Sequence, residues 1–147
     1  MLVRVPEEAR LVDRDAVPVM FRRVTGEPAV IRQAWAEVEK SIGSLRGRKF
    51  YGAFDPRSGE YRVCVGLREG DDSDDLRLET GTLPGGRYLR VRLHGEPPDV
   101  YDLIGPTFKT LAQRPDRDLA RPELENYRRR DVIDLLVPVV EAPRLPR

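Results

Sequence analysis

Two residues in "RPELENYRRR" have the types and spacing to hold a charged ligand, Glu125 and Tyr127. In a strand, side chains two apart emerge on one face, so a carboxylate and a phenol would point together into whatever that face meets. A carboxylate among aromatic rings suits a delocalised organic cation. The rings attract the charge by ~2 kcal/mol or more once water is excluded, and the carboxylate neutralises it. Composition alone favours a plainer place for Glu125, on the surface beside Arg128, Arg129 or Arg130.

Rings for such a site are scarce, since aromatic residues make up 7% of the chain and a ring-lined cavity would use a large share of them. The candidates are Trp35, the single tryptophan, with Tyr51, Tyr61, Tyr88 and Phe54 on strand-like runs. Each could equally pack a core, and for Phe54 a hairpin core is the simpler role.

Several other chemistries are excluded by count. Cys64 is the only cysteine and His94 the only histidine, so an intramolecular disulfide, a cysteine-rich zinc site and a histidine cluster are ruled out. Cys64, inside "YRVCVG", reads as a small buried hydrophobe, and His94 as a capping or surface residue at a strand-to-helix corner. The run "DDSDD" from Asp71 departs from a calcium loop, with Leu76 at the sixth position and Thr82 at the twelfth, and reads as a solvated loop. There is no nucleotide-binding glycine loop and no nucleophile elbow, so neither a cofactor nor a metal is expected. With 26 basic and 25 acidic residues no overall field draws the chain to a nucleic acid. The basic clusters Arg87/Arg90/Arg92 and Arg128/Arg129/Arg130 read as solvated strand edges. The longest apolar run, "VIDLLVPVV", is too short to span a membrane and no secretory signal is visible, which together point to the cytoplasm.

The elements that must position Glu125 and the rings come in two similar sets. "RVTGEP" at position 23 and "RLHGEP" at position 92 each close a strand and open a helix, 69 residues apart. In the first set Val17 to Val24 is a strand, and a helix follows from Pro28 with Val30, Ile31, Ala34, Trp35, Val38, Ile42 and Leu45 on one stripe. Strands from Phe50 to Phe54 and Tyr61 to Leu67 flank the turn "DPRSG". The second set has "RYLRVRLH", a helix "PDVYDLIGPTFKTLAQ" bent or split by Gly105-Pro106, then "LENYRRR" and "VIDLLVPVV". One domain is expected, with units at about 17–68 and 87–140 and a linker at about 69–86 that carries a short strand near Leu76 to Leu78. Two βαββ units related by approximate twofold symmetry could share one antiparallel sheet, an α+β fold with both helices packed on it and a groove near the axis.

The segments "FYGAFDPRSGEYRVCVG", "LPGGRYLRVRLHGEPPDVYDLIGP" and "RPELENYRRRDVIDLLVPV" resemble the GyrI-like small-molecule-binding domain family, which includes effector-binding domains of AraC- and MerR-type regulators. The resemblance covers about 17–140. It implies the fold of two βαββ units and a ligand cavity into which Glu125 and Tyr127 point. It also implies three functions. The first is a stand-alone multidrug-type module binding cationic or amphipathic aromatic molecules. The second is a hydrolase of cyclopropanoid DNA-alkylating natural products, with Glu125 as base and Tyr127 as donor. The third is a protein-interaction domain acting on DNA gyrase through the acidic run. The stretch before Val17 is too short for a helix-turn-helix, so the module is expected to act alone or with a protein partner.

Overall fold

The computed structural model describes residues 8–140. Strands β1 (Arg10–Arg14) and β2 (Val17–Thr25) precede helix α1 (Pro28–Ile42), and β3 (Phe50–Asp55) and β4 (Glu60–Gly66) form a hairpin after it. Then come β5 (Glu79–Leu83), β6 (Gly86–His94), a 3-10 turn at Asp99–Leu103 that runs into α2 (Ile104–Leu111), and the hairpin β7 (Glu123–Arg129) and β8 (Val132–Pro138). The fold is α+β. All eight strands pair antiparallel in one curled sheet, ordered β1-β6-β8-β7-β3-β4-β2-β5.

That order places β2-α1-β3-β4 and β6-α2-β7-β8 side by side, meeting at β3 and β7. Each corner is fastened to the hairpin of its own unit. Gly26 N–H donates to Gly59 O at 2.9 Å, and Gly95 N–H donates to Asp131 O at 3.0 Å. The edges are exchanged: β1, which precedes the first unit, pairs with β6, and β5, which precedes the second, pairs with β2. The two crossing connections touch. A Cβ on Gly85 would lie 2.7 Å from Ala16 N and 2.8 Å from Arg14 O, so the close approach requires glycine there.

Period-two alternation separates two cores. On the outer face α1 lays Ala34 and Val38 over Met20, Val63 and Val65, while the 3-10 turn and α2 lay Val100, Phe108 and Leu111 over Leu93, Ile133 and Leu135. The inner face carries Phe21, Tyr51, Cys64, Tyr88, Leu124 and Leu136, all buried with no helix over them. Val12 near one edge and Val17 near the other join this cluster, which the curl of the sheet encloses.

Some expectations are corrected. Leu76 to Leu78 is not a strand; it ends a turn, and the strand of this stretch is β5 at Glu79–Leu83, which joins the sheet beside β2. Strand β1 has no counterpart in the sequence reading, because "RLVDR" is an edge strand with charges at both ends and only Val12 half-turned inward among its apolar residues. Helix α1 stops at Ile42, where Gly43 takes φ 79° and donates to Glu39 O, which leaves Leu45 outside the helix and exposed. The second helical stretch does split, with 3-10 geometry up to Leu103 and α geometry from Ile104.

Candidate functional site

Strand β7 is the second of the two central strands, so its outer face lies between the two helix-covered cores. Glu125 and Tyr127 both occupy that face. Glu125 is 8% exposed, opposite Gly52 on β3 and Leu135 on β8. Tyr127 packs on the α2-side cluster and meets the ring of Trp35 from α1 edge-on at 5.2 Å between centroids. Trp35 also meets Phe50 at 6.0 Å.

The polar contacts form one network. Tyr61 Oη donates to Glu125 Oε1 at 2.8 Å, and Tyr127 Oη donates to the same oxygen at 2.5 Å. Trp35 Nε1–H donates to Tyr61 Oη at 3.2 Å. Oε2 of Glu125 receives no hydrogen bond among the described residues. Burial pushes the Glu125 carboxyl above its ordinary range, and the two phenol donors pull it partly back. Tyr61 and Tyr127 are held well above the ordinary tyrosine value, first by burial and then by the neighbouring carboxylate, so both keep their protons as donors.

Among the described residues three carboxylates are buried: Glu123, Glu125 and Asp134. Asp134 is paired with Arg92 and Arg128, and Glu123 lies 3.6 Å from Arg117. Among the described residues Glu125 has no basic partner; tyrosines alone contact its charge.

Space for this network comes from Gly52. A Cβ there would fall inside contact distance of Tyr61 Oη, 2.5 Å from Glu125 Oε1 and 2.8 Å from Tyr61 Cζ. The sequence reading passed over Gly52 and Phe50. A glycine inside "FYGAF" signals a close approach in a strand, and that signal was legible. Tyr101, an exposed residue of the 3-10 turn, also lies close enough to influence Tyr127 electrostatically and had no place among the candidates.

Of the sequence candidates, Glu125, Tyr127, Trp35 and Tyr61 come together. Phe54 shares their face but packs in the α1 cluster toward the Gly26 corner. Tyr51 and Tyr88 lie on the inner face, with the thickness of the sheet between them and Glu125: Tyr51 is one residue from Gly52, and each step along a strand reverses the face. Cys64 is buried as expected, and burial raises its thiol to about 12. Asp71 departs from a solvated loop. Arg48 grips both its oxygens at 2.6 and 2.8 Å, and these contacts lower its carboxyl to about 2. An open depression of about 560 Å³ lies elsewhere, along α1 between Arg22, Lys40 and Arg77, and does not include Glu125.

This curled antiparallel sheet with two helices is the fold of the GyrI-like small-molecule-binding domains. It is similar to an integron cassette protein from the mobile metagenome of Vibrio cholerae, at TM-score 0.75 and 14% identity over 92% of this chain and 97% of that one. It is also similar to SAV2435 bound to tetraphenylphosphonium, at TM-score 0.64 and 15% identity, covering 91% of this chain and 94% of that one. The C-terminal domain of EcmrR matches at TM-score 0.59 and 9% identity, covering 92% and 98%. No family model and no curated protein matches the sequence.

Proposed function

We propose that this chain is a ligand-binding module for cationic, aromatic small molecules, with Glu125 as the counter-charge and Trp35, Tyr61 and Tyr127 as the surrounding rings. The observation that carries this reading is the missing partner: among the described residues Glu125 is the one buried carboxylate without an arginine, and a buried charge without one is costly. A delocalised cation entering beside Oε2 offsets that cost and gains the ring faces. The tetraphenylphosphonium on SAV2435 is a ligand of this chemical class on the same fold. The biological use would be sensing or sequestration of such compounds.

The hydrolase alternative fits the geometry less well. A general base needs a free oxygen, which Oε2 provides, but the oxyanion donor needs a free proton, and both Tyr61 and Tyr127 donate theirs to Oε1. The gyrase-binding alternative rests on the acidic run, in which Asp71 turns inward to Arg48 and leaves a smaller exposed patch than the sequence suggests.

The test is Glu125→Gln with two ligands read by Trp35 quenching. Affinity for tetraphenylphosphonium is expected to fall at least tenfold, ~1.4 kcal/mol, while neutral triphenylphosphine oxide binds as before. Equal loss for both, or loss for neither, counts against the reading.

A further inference from the structure

We infer that the inner face of the curl holds a second site, for an oxyanion: a corner of β1, β6, β7 and β8 where Arg10, Arg90, Arg92 and Arg128 gather and which takes the phosphate or carboxylate group of a small molecule. Alternation along β6 sends Tyr88, Arg90 and Arg92 to one side, with Tyr88 in the inner core and Arg92 on Asp134 at 2.7 and 3.2 Å. Arg128 reaches the same Asp134 from β7 at 3.5 Å. Asp134 is 2% exposed and is thus shared by two arginines.

Among the described residues Arg90 has neither an acid nor an acceptor. It stands directly opposite Arg10 on β1 and the fully buried Leu136 on β8, and its Nε is buried without a hydrogen-bond partner. Both features cost stability. Like charges opposite one another on neighbouring strands repel, and a buried donor without an acceptor loses the hydrogen bond it makes in water. An oxyanion accepting from the terminal nitrogens of Arg90 would offset the repulsion between Arg90 and Arg10.

The 69-residue offset between the two strand-to-helix corners supplies a comparison inside the same molecule. It sets Arg92 against Arg23, and Arg90 against Phe21. Around Phe21 every cation is satisfied: Arg62 lies over the ring at 4.8 Å, and Arg23 bonds Glu60 at 3.1 Å and Glu79 at 3.3 Å. The corner at Arg90 replaces that ring with a further guanidinium, beside the aspartate that Arg92 and Arg128 already hold. The reading of Arg87/Arg90/Arg92 as a solvated edge therefore does not hold for Arg90, which is half-buried with its Nε out of solvent. This site is separate from Glu125, which faces the other side of β7, whereas Asn126, opposite Asp134, is on the arginine side.

Thermal unfolding of the full chain in sodium phosphate and in sodium citrate, each against sodium chloride at matched ionic strength, tests the site. A saturable rise in melting temperature beyond chloride is expected with at least one of them, phosphate alone marking a phosphoryl ligand and citrate alone a carboxylate ligand. Arg90→Met keeps the buried stem and removes the donors; it is expected to weaken that binding at least tenfold and to leave tetraphenylphosphonium affinity unchanged. Arg128→Gln, at a half-exposed residue, decides the matter should Arg90→Met fail to fold. No effect of either anion beyond chloride, or unchanged anion affinity in the variants, overturns the site.

Discussion

Gly52→Ala isolates the crowding at the Glu125 network. Gly52 lies in the middle of β3 between Glu125 and Val63, and its φ is outside the left-handed region, so alanine meets no dihedral strain. On backbone grounds alone the substitution should stabilise by ~0.4–1 kcal/mol, through the unfolded chain. Against this, the new methyl would overlap Tyr61 Oη and sit 2.5 Å from Glu125 Oε1. Tyr61 is 3% exposed and bonded to both Trp35 and Glu125, so it has little room to retreat. Overpacking of this kind costs ~1–3 kcal/mol. The steric cost prevails, and the expected net loss is about 1–2 kcal/mol, roughly 2–4 °C of melting temperature for each kcal/mol at this chain length. Urea unfolding followed by Trp35 fluorescence measures it. Repeating the measurement in a Tyr61→Phe background removes the nearest atom, so Gly52→Ala should then cost at least ~0.5 kcal/mol less. A neutral or stabilising Gly52→Ala, or an equal cost in both backgrounds, would refute the crowding.

Other outcomes follow from the same geometry. Burial raises the Glu125 carboxyl above 4.5, so the folded state binds that proton more tightly than the unfolded chain, and this contribution is lost as pH rises above 4.5. Glu125→Gln should therefore be more stable than wild type at pH 7, the gap closing as pH falls toward 4.5; denaturant midpoints between pH 7 and 4.5 check it. Asp71 has the opposite sign: its carboxyl is lowered from 3.8 to about 2, so its stabilisation is present above 3.8 and is lost as pH falls toward 2. Asp71→Asn should flatten the acid limb of the stability profile, and a parallel acid limb in the variant would count against the Arg48 pairing. Cys64, fully buried and raised to about 12, should react with a thiol reagent only after unfolding, whereas rapid labelling of native protein would contradict its burial.

Much of this structure was legible in the sequence because the signals were local. The paired corners, the stripe of α1 and the turn "DPRSG" each depend on residues close together in the chain, and each lies where its pattern indicates. The pairing of Glu125 with Tyr127 followed from strand periodicity alone. What escaped is what long-range pairing decides. β1 and β5 are short edge strands defined by partners in the opposite half of the sheet, and nothing in "RLVDR" or "ETGTL" names those partners. Tyr51 and Tyr88 could not be assigned a face, since the curl that encloses them arises from the exchange of edges. The arginines of β6 were read as solvated edges, but Arg90 is half-buried opposite Leu136 of β8, a pairing that only the long-range register sets.

Carbon NMR of the Glu125 carboxyl, titrated with pH in the presence and absence of tetraphenylphosphonium, interrogates the site at the atom that matters. If the ligand supplies the missing counter-charge, the carboxyl titrates above 4.5 in the free protein and distinctly lower in the complex. Saturating ligand that leaves this titration unchanged would mean that the cation binds elsewhere, and that Glu125 is only a structural member of the tyrosine network.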